Sequence, residues 1–312
     1  MAIFALPAGR FDTEVLQRHW ITLSKPDIDT AAVLRERLGV DFAGTGSGVG
    51  ESESFLYLPV AMNVKRGDVI ERNSIVFALG AEFLVTLQPD EHFTLFDKAV
   101  AKMQRNPALT ASSHSVMYAL LWALNEESAE VVRHGSDALE AMNDEIEMVT
   151  TGFDQRGREI GVADIREIMS RMNETEEIVS RVQESQLQLA RAARHLMADA
   201  PDTLEGLGAL IAVLVADIDG VKEHASFEHD KVRYLQQSLT TWLDVKQNQI
   251  VKVFTIITAV FLPPTLIAAF CGVNFTWMPE MEWQYGFLAT TAMTLVAAVI
   301  PLVYIKRKGW LR

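Results

Sequence analysis

Two long hydrophobic stretches near the C terminus dominate the pattern of hydrophobic and polar positions along the chain. Residues 250–271 carry one charge, Lys252, near their start, and residues 286–305 carry none. Each stretch reaches the roughly 20 residues that an α-helix needs to cross a bilayer. A core helix of a soluble domain rarely has such a length without charges. The pattern therefore predicts two transmembrane helices, over residues 250–271 and 286–305.

A 3-4 spacing of hydrophobic residues marks the segment before the first span. It begins at Leu207, and only Glu228 interrupts it. This spacing is typical of a helix packed lengthwise against other helices. No strong helix breaker follows, so we predict one helix of roughly 100 Å, at about 1.5 Å per residue, from about residue 203 into the membrane. A soluble helix that ends before a separate membrane helix is the alternative.

Helices are also predicted upstream of this segment. Residues 112–200 contain no proline and are rich in helix formers, which predicts two long helices with a break near residues 151–161. A shorter helix is predicted from Asp29 to Leu38, with Gly39 ending it.

The first 105 residues have the mixed pattern of an α/β domain. The glycine-rich stretch 44–50 lacks both a following Lys-Ser/Thr pair and the GxGxxG spacing, so we interpret it as a surface loop and not as a nucleotide site. A turn at Gly80 should join the last two strands as a hairpin. The predicted strands are 2–6, 19–23, 55–60, 75–79 and 83–87.

The predicted fold class is an α+β cytosolic domain with long stalk helices, plus two transmembrane helices per subunit. The predicted boundaries are a cytosolic mixed α/β domain at 1–111, long cytosolic helices including the stalk at 112–249, the first span at 250–271, an external loop at 272–285, the second span at 286–305 and a basic cytosolic tail at 306–312.

Charges beside the spans predict the orientation. Basic residues precede the first span and follow the second, whereas all charged residues of the loop between the spans are acidic. The positive-inside rule then places both termini in the cytoplasm and predicts a multi-pass protein of the cell inner (plasma) membrane. The N terminus has neither the basic start nor the apolar run of a secretory signal, so we expect the first 240 or so residues to stay in the cytosol.

Composition excludes several function classes. The formal net charge of -13 argues against nucleic-acid binding and suits cationic partners. The single cysteine, Cys271, allows neither an intrachain disulfide nor a thiolate metal site. No phosphate loop and no nucleophile with its base are found in the first 200 residues. We therefore predict that the chain is not an enzyme and needs no organic cofactor.

The first span bears a polar stripe. Asn248, Thr258 and Thr265 fall on one helical face, although threonine hydroxyls can also bond back to their own helix. A hairpin of two helices has no interior, so a hydrophilic path requires several copies that turn this face to a shared axis. Leu262 and Val251 would then be dewettable constrictions. The stripe predicts a homo-oligomeric channel in the lipid bilayer.

A ring of neutral oxygens is expected at the outer end, where the amide of Asn274 follows Gly272 and Val273. Mg2+ gives up water reluctantly, so a site that hydrogen-bonds its hydration shell avoids the cost of dehydration. An inside-negative potential favours entry of a divalent ion by about 4.6 kcal/mol per 100 mV, at about 2.3 kcal/mol per charge. No ATP site is needed.

Residues 248–287, with the terminal 305–311, resemble the CorA magnesium-transport family. The most specific elements are Gly272 and Asn274, Met278-Pro279-Glu280 in the external loop, and the pair Pro263-Pro264. The family resemblance implies a funnel-shaped homopentamer, closed by cytosolic Mg2+ bound between subunits, with Mg2+ as both the transported and the regulatory ion. It implies a filter of Gly272, Val273 and Asn274, and a pore lined by Asn248, Val251, Phe254, Thr258, Leu262, Thr265 and Ala269.

The resemblance also suggests Asp217, with Asp219, as the regulatory metal ligand, although a solvated stalk carboxylate is the alternative. The family usually has Tyr-Gly-Met-Asn where this chain has Cys271-Gly272-Val273-Asn274. A valine there is also similar to the zinc-transporting branch, whereas the Met-Pro-Glu loop favours magnesium.

Three functions remain open. The first is a Mg2+ channel, with Co2+ or Ni2+ as possible companions. The second is a Zn2+ transporter, for which His224, Glu228 and His229 are candidate ligands. The third, from another class, is a membrane-anchored cytosolic sensor or enzyme.

Overall fold

The structure is a computed structural model of the chain. It describes residues 18–25, 27–42, 48–66, 69–90, 93–151, 162–201, 204, 206–273 and 283–309. The chain forms two compact units, Met1–Gln236 and Gln237–Arg312, and each is described by itself.

A five-stranded sheet lies in the first unit. Its strands are β1 (Trp20–Ser24), β2 (Gly50–Glu51), β3 (Leu56–Arg66), β4 (Val69–Leu79) and β5 (Leu84–Gln88). Their order is β1-β5-β4-β3-β2, with β1 and β5 parallel and the other neighbours antiparallel. Gly80 closes the hairpin between β4 and β5, where an added Cβ would lie only 2.7 Å from the Phe55 ring.

Alternate residues of the sheet enter two separate cores, because successive side chains of a strand point to opposite faces. On one face Tyr57 and Val76 pack with Leu34 of helix α1 (Ile28–Leu38). On the other face Leu58 and Phe77 join a larger core that includes residues of the long helices.

Helix α1 has both ends fixed locally. The Asp27 carboxylate accepts a hydrogen bond from the Thr30 backbone N–H at 3.0 Å. Hydrogen bonds from the Thr30 side chain and then its backbone hold the pKa of Asp27 below its usual value. At the other end Gly39 has a φ of 72°, in the left-handed region that favours glycine. These features confirm the predicted helix and its end.

Helices make up most of the rest of the described chain. They are α2 (Leu95–Arg105), α3 (Ser113–Thr151), α4 (Val162–Asp199), α5 (Leu207–Cys271) and α6 (Gly286–Arg307), with a 3-10 turn at Pro107–Thr110. The predicted break separates α3 from α4, and the predicted continuous helix is confirmed, because α5 is one helix of 65 residues. Helix α2 was not predicted, although its buried residues Leu95, Phe96, Ala99 and Met103 follow a helical spacing.

Four of the five predicted strands are present, and the hairpin at Gly80 is confirmed. The predicted strand 2–6 lies outside the described residues. Strands β3 and β4 are longer than predicted, since they pair along their whole length from Leu56↔Leu79 to Arg66↔Val69. Residues 44–47 of the predicted loop lie outside the described residues. The prediction is wrong at the last residue of the loop, because Gly50 belongs to β2 and pairs with Tyr57 of β3.

Candidate functional site

Helices α5 and α6 are the two helices of the described chain that are long and apolar enough to cross a membrane. No residue in the most apolar window of α5 is fully buried by other parts of the chain. Phe254 and Leu262, for example, are 66% and 64% exposed. Apolar side chains on this scale require a nonaqueous environment or further copies of the chain.

The exposure of α5 differs between its two faces. One face is half-buried and includes Ile256, Ala259, Pro263 and Ile267. The face opposite to it carries the predicted polar stripe and is exposed. All seven predicted pore-lining residues are exposed in a single copy of the chain: Asn248, Val251, Phe254, Thr258, Leu262, Thr265 and Ala269.

The threonine hydroxyls of the span donate to their own helix. Thr258 Oγ1 donates to the Phe254 carbonyl at 2.9 Å, and Thr265 Oγ1 donates to the Phe261 carbonyl. The proton of each hydroxyl is thereby used, while the lone pairs of its oxygen remain available. The stripe can therefore accept hydrogen bonds, and the water shell of a hydrated cation presents donors.

Pro263 and Pro264 lie inside α5. Each lacks an N–H, so the carbonyls of Ala259 and Val260, four residues back, lose their usual helical partner. Ala259 and Val260 belong to the half-buried side of the helix and not to the exposed stripe. The carbonyls that the prolines free therefore do not support a ring of hydrogen-bond acceptors along the exposed stripe.

Helix α5 ends where the filter was predicted. The Gly272 N–H donates to the Ala268 carbonyl at 2.9 Å, and the Val273 N–H donates to the Phe270 carbonyl at 3.4 Å. A Cβ added to Gly272 would lie 3.1 Å from the Ala268 carbonyl oxygen. Asn274, and the loop residues Met278, Pro279 and Glu280, lie outside the described residues.

Replacing Gly272 with alanine should disturb this helix end. The added methyl group would push against the Ala268 carbonyl. We expect a conformational cost of about 1 kcal/mol or more at the predicted filter, with roughly a tenfold loss of ion flux. Flux into proteoliposomes measures the effect. The control is Gly208→Ala in the same helix, where an added Cβ meets nothing within 4 Å. Equal flux through Gly272→Ala and the control would contradict this interpretation of Gly272.

The regulatory candidates Asp217 and Asp219 do not converge in one copy. They are two residues apart on α5, which places them on nearly opposite sides of the helix. Asp219 lies 3.8 Å from the Arg194 guanidinium. Burial and then the charge of Asp217 raise the pKa of Tyr118. No cluster of three or more metal-ligating side chains occurs among the described residues.

The zinc candidates are also not assembled into a metal site. Glu228 is buried and accepts a hydrogen bond from Ser136 Oγ at 2.8 Å. His224 Nε2 lies 3.4 Å from the same carboxylate oxygen. His229 does not join them in a ligand cluster within the described chain. The suggested three-residue zinc site is therefore wrong for a single copy.

A Ser-His-Asp chain of hydrogen bonds was missed in the sequence. Ser113 Oγ lies 3.2 Å from His114 Nδ1, and His114 Nε2 lies 3.0 Å from Asp199 Oδ2. Ser113 is fully buried and donates to the Gly80 carbonyl at 2.8 Å, so its hydroxyl is neither accessible nor free for attack. The cluster ties the start of α3 to the β4–β5 turn and the end of α4. Asp199 lies 85 positions from His114, so no local pattern could reveal it.

His114→Ala should destabilise the first unit. The change removes a buried ring and its hydrogen bond to the half-exposed Asp199 carboxylate, which costs about 1–3 kcal/mol. Thermal unfolding of the purified protein measures the loss. His195→Ala is the control, because His195 lies on α4, the helix that ends at Asp199, and its side chain is only half-buried. A melting temperature equal to that of the control would show that the cluster does not stabilise the fold.

Comparison with known proteins covers nearly the whole chain. The family model described as CorA-like Mg2+ transporter protein matches residues 17–307. The magnesium transport protein CorA of Escherichia coli is 28% identical over 309 residues, which is 94% of this chain and 92% of the relative. CorA of Yersinia pseudotuberculosis is 38% identical over 98 residues, so the aligned part spans only 31% of either chain.

Solved structures share the fold. The complete CorA magnesium transporter from Methanocaldococcus jannaschii has a TM-score of 0.71 at 18% identity, over 93% of this chain and 90% of that one. The ZntB cytoplasmic domain from Vibrio parahaemolyticus has a TM-score of 0.54 at 12% identity, over 73% of this chain and 88% of that domain. The first likeness confirms the predicted fold class of an α/β part, long helices and two candidate spans. Neither likeness distinguishes between cations.

Proposed function

The chain belongs to the CorA-like Mg2+ transporter family, and from this membership we propose that it is a Mg2+ channel of the cell inner membrane. Co2+ and Ni2+ are its companion ions, the membrane potential drives entry, and intracellular Mg2+ closes the path. The observation that carries the proposal is the exposed stripe of α5, whose threonine oxygens remain acceptors.

The channel is a homo-oligomer, and the family resemblance suggests a pentamer. One copy leaves the stripe of α5 bare, so the path requires further copies around a common axis. A second exposed seam supports this assembly in the first unit. Val213, Phe227 and Tyr234 of α5 are 59%, 65% and 71% exposed, and they are separated by whole heptads. That spacing is typical of a helix that packs against another helix.

The oxygen chemistry of the stripe suits a hydrated cation. A Mg2+ ion that keeps its water shell presents O–H donors in all directions. Thr258 and Thr265 have already used their protons and can only accept. Gly272, Val273 and Asn274 form the outer filter in this proposal, and Met278, Pro279 and Glu280 belong to the loop outside it.

Orientation follows from the charges near the spans. Lys306 and Arg307 end α6, and Lys246 and Lys252 precede or begin the apolar part of α5. By the positive-inside rule, these cations support a cytoplasmic location for both termini. An inside-negative potential then favours entry of divalent cations.

Closure combines a constriction and a sensor. Leu262 and Val251 narrow the path with apolar rings that expel water when the copies approach. Asp217 and Asp219 diverge within one copy, so a regulatory Mg2+ at either carboxylate requires oxygen ligands from a neighbouring copy. The regulatory Mg2+ acts on closure only, and the transported ion passes through the open pore without it.

Flux measurements test the proposal. Purified protein in proteoliposomes should pass Mg2+ with an inside-negative potential and without a proton gradient, and Co2+ and Ni2+ should compete. Flux of Zn2+ alone that requires a proton gradient would instead support the Zn2+ transporter. Absence of any divalent flux from correctly folded oligomers would favour the membrane-anchored sensor or enzyme.

A further inference from the structure

The described basic residues of the second unit lie at one end of the two spans. Residues 253–305, which hold most of both spans and the loop between them, contain no lysine or arginine. Within the part of the chain that the structure describes, none of the five basic side chains that flank this stretch forms an ion pair with a carboxylate. The five are Lys246, Lys252, Lys306, Arg307 and Lys308.

Two of these lysines lie against an aromatic ring of their own helix. Lys246 Nζ is 5.5 Å from the centroid of the Trp242 ring, and Lys308 Nζ is 5.6 Å from that of the Tyr304 ring. Both pairs have the i, i+4 spacing that brings side chains together on one face of a helix. An ammonium is attracted to an aromatic face, so each ring restricts the positions of its lysine. Each span therefore has an aromatic–lysine pair at the same end.

Helix length places these pairs at or beside the head-group layer of a bilayer. Gly286, the first residue of α6, and Tyr304 are separated by about 27 Å along the helix, at about 1.5 Å per residue. That length is close to the roughly 30 Å of a hydrocarbon core. On α5 a similar length from Cys271 ends near Lys252, and Lys246 lies about 9 Å beyond it. The long side chain of a lysine there extends to the head groups.

The opposite end of the spans has aromatic rings without basic partners. The rings of Trp283 and Tyr285 lie edge to face, with centroids 6.3 Å apart. Rings of this kind anchor a helix at the membrane interface whatever the charge of the lipid. Only the end with the basic residues can distinguish anionic from neutral head groups.

We propose that the basic side chains beside Trp242 and Tyr304 bind the phosphate groups of anionic phospholipids in the cytoplasmic leaflet. The inference rests on the proposed insertion and orientation of the spans. Each lysine or arginine near an anionic surface strengthens binding about fivefold, which corresponds to about 1 kcal/mol. An ammonium has three N–H donors, so a lysine held against a ring keeps donors for phosphate oxygens, and such charge-assisted hydrogen bonds are among the strong ones.

The test measures binding of a fluorescent phosphatidylglycerol to the full-length protein in a neutral detergent. Unlabelled phosphatidylglycerol should displace the probe, whereas phosphatidylcholine and inorganic phosphate should not. Lys246→Gln and Lys308→Gln should each weaken binding roughly fivefold. Lys308→Arg keeps the charge and should bind like the unmodified protein. Lys222→Gln is the matched control, since it removes one exposed positive charge from the part of α5 in the first unit.

Three results would overturn the proposal: equal displacement by phosphatidylglycerol and phosphatidylcholine, unchanged binding in both glutamine variants, or equal weakening in the Lys222→Gln control. Displacement by inorganic phosphate as effective as that by phosphatidylglycerol would assign the basic residues to a soluble phosphate instead. Ion flux is judged separately. Loss of lipid selectivity with normal Mg2+ flux would overturn the lipid site alone, whereas selective lipid binding without divalent flux would overturn the proposed transport alone.

Discussion

Asn274→Ala is expected to abolish Mg2+ uptake into proteoliposomes, with a loss of at least about a hundredfold. In a pentamer the change removes five amide oxygens that would accept hydrogen bonds from the ion's water shell. Each such bond is worth about 0.5–1.5 kcal/mol, and a hundredfold rate change needs only about 2.8 kcal/mol. Asn274 directly follows Val273, the last described residue after α5.

Thr291→Ala is the control for this experiment. Thr291 is an exposed residue of α6 whose hydroxyl donates to the Phe287 carbonyl at 2.8 Å, so the variant removes a polar group from the other span. Flux through Thr291→Ala should be close to normal. Undiminished uptake by Asn274→Ala would show that the Asn274 side-chain amides of the assembled subunits do not form the selectivity filter.

Leu262→Asn should produce a channel that leaks under closing conditions. A ring of leucine side chains in a narrow path expels water, whereas a ring of amides keeps the path wet. We expect Mg2+ flux at high Mg2+ on the cytoplasmic side to rise roughly tenfold, since an energy difference of about 1.4 kcal/mol suffices. Flux measured with and without closing Mg2+ gives the ratio directly.

Val253→Asn tests whether the effect depends on the stripe. Val253 is 55% exposed and lies nine residues before Leu262. This spacing places the two side chains on opposite sides of the helix. The same polar group there should leave closure intact. A leak of equal size in both variants would place the constriction elsewhere.

The sequence predicted the elements whose signals are local. The two stretches of membrane length, the sustained spacing after Leu207 and the short helix that Gly39 ends needed no tertiary information. Helix α2 also had a local signal, because its buried side chains recur every three or four residues. Strand β2 had almost none, since it consists of two residues and exists only through its pairing with β3.

The site was predictable only in part. The positions on one face of α5 follow from helical periodicity, but the contacts of Asp219 and His114 depend on residues of other helices. The guanidinium of Arg194 beside Asp219 and the carboxylate of Asp199 beside His114 are brought together by packing. Such neighbours cannot be read from spacing along one chain.

Cysteine accessibility tests the central proposal that the threonine face of α5 surrounds water. Single cysteines would replace Thr258, Thr265, Val253 or Val260 in a Cys271→Ala background, which removes the only native thiol. A membrane-impermeant cationic thiol reagent should block flux through the variants at Thr258 and Thr265 and leave those at Val253 and Val260 unaffected. Block confined to the valine positions, or equal at all four, would contradict the account.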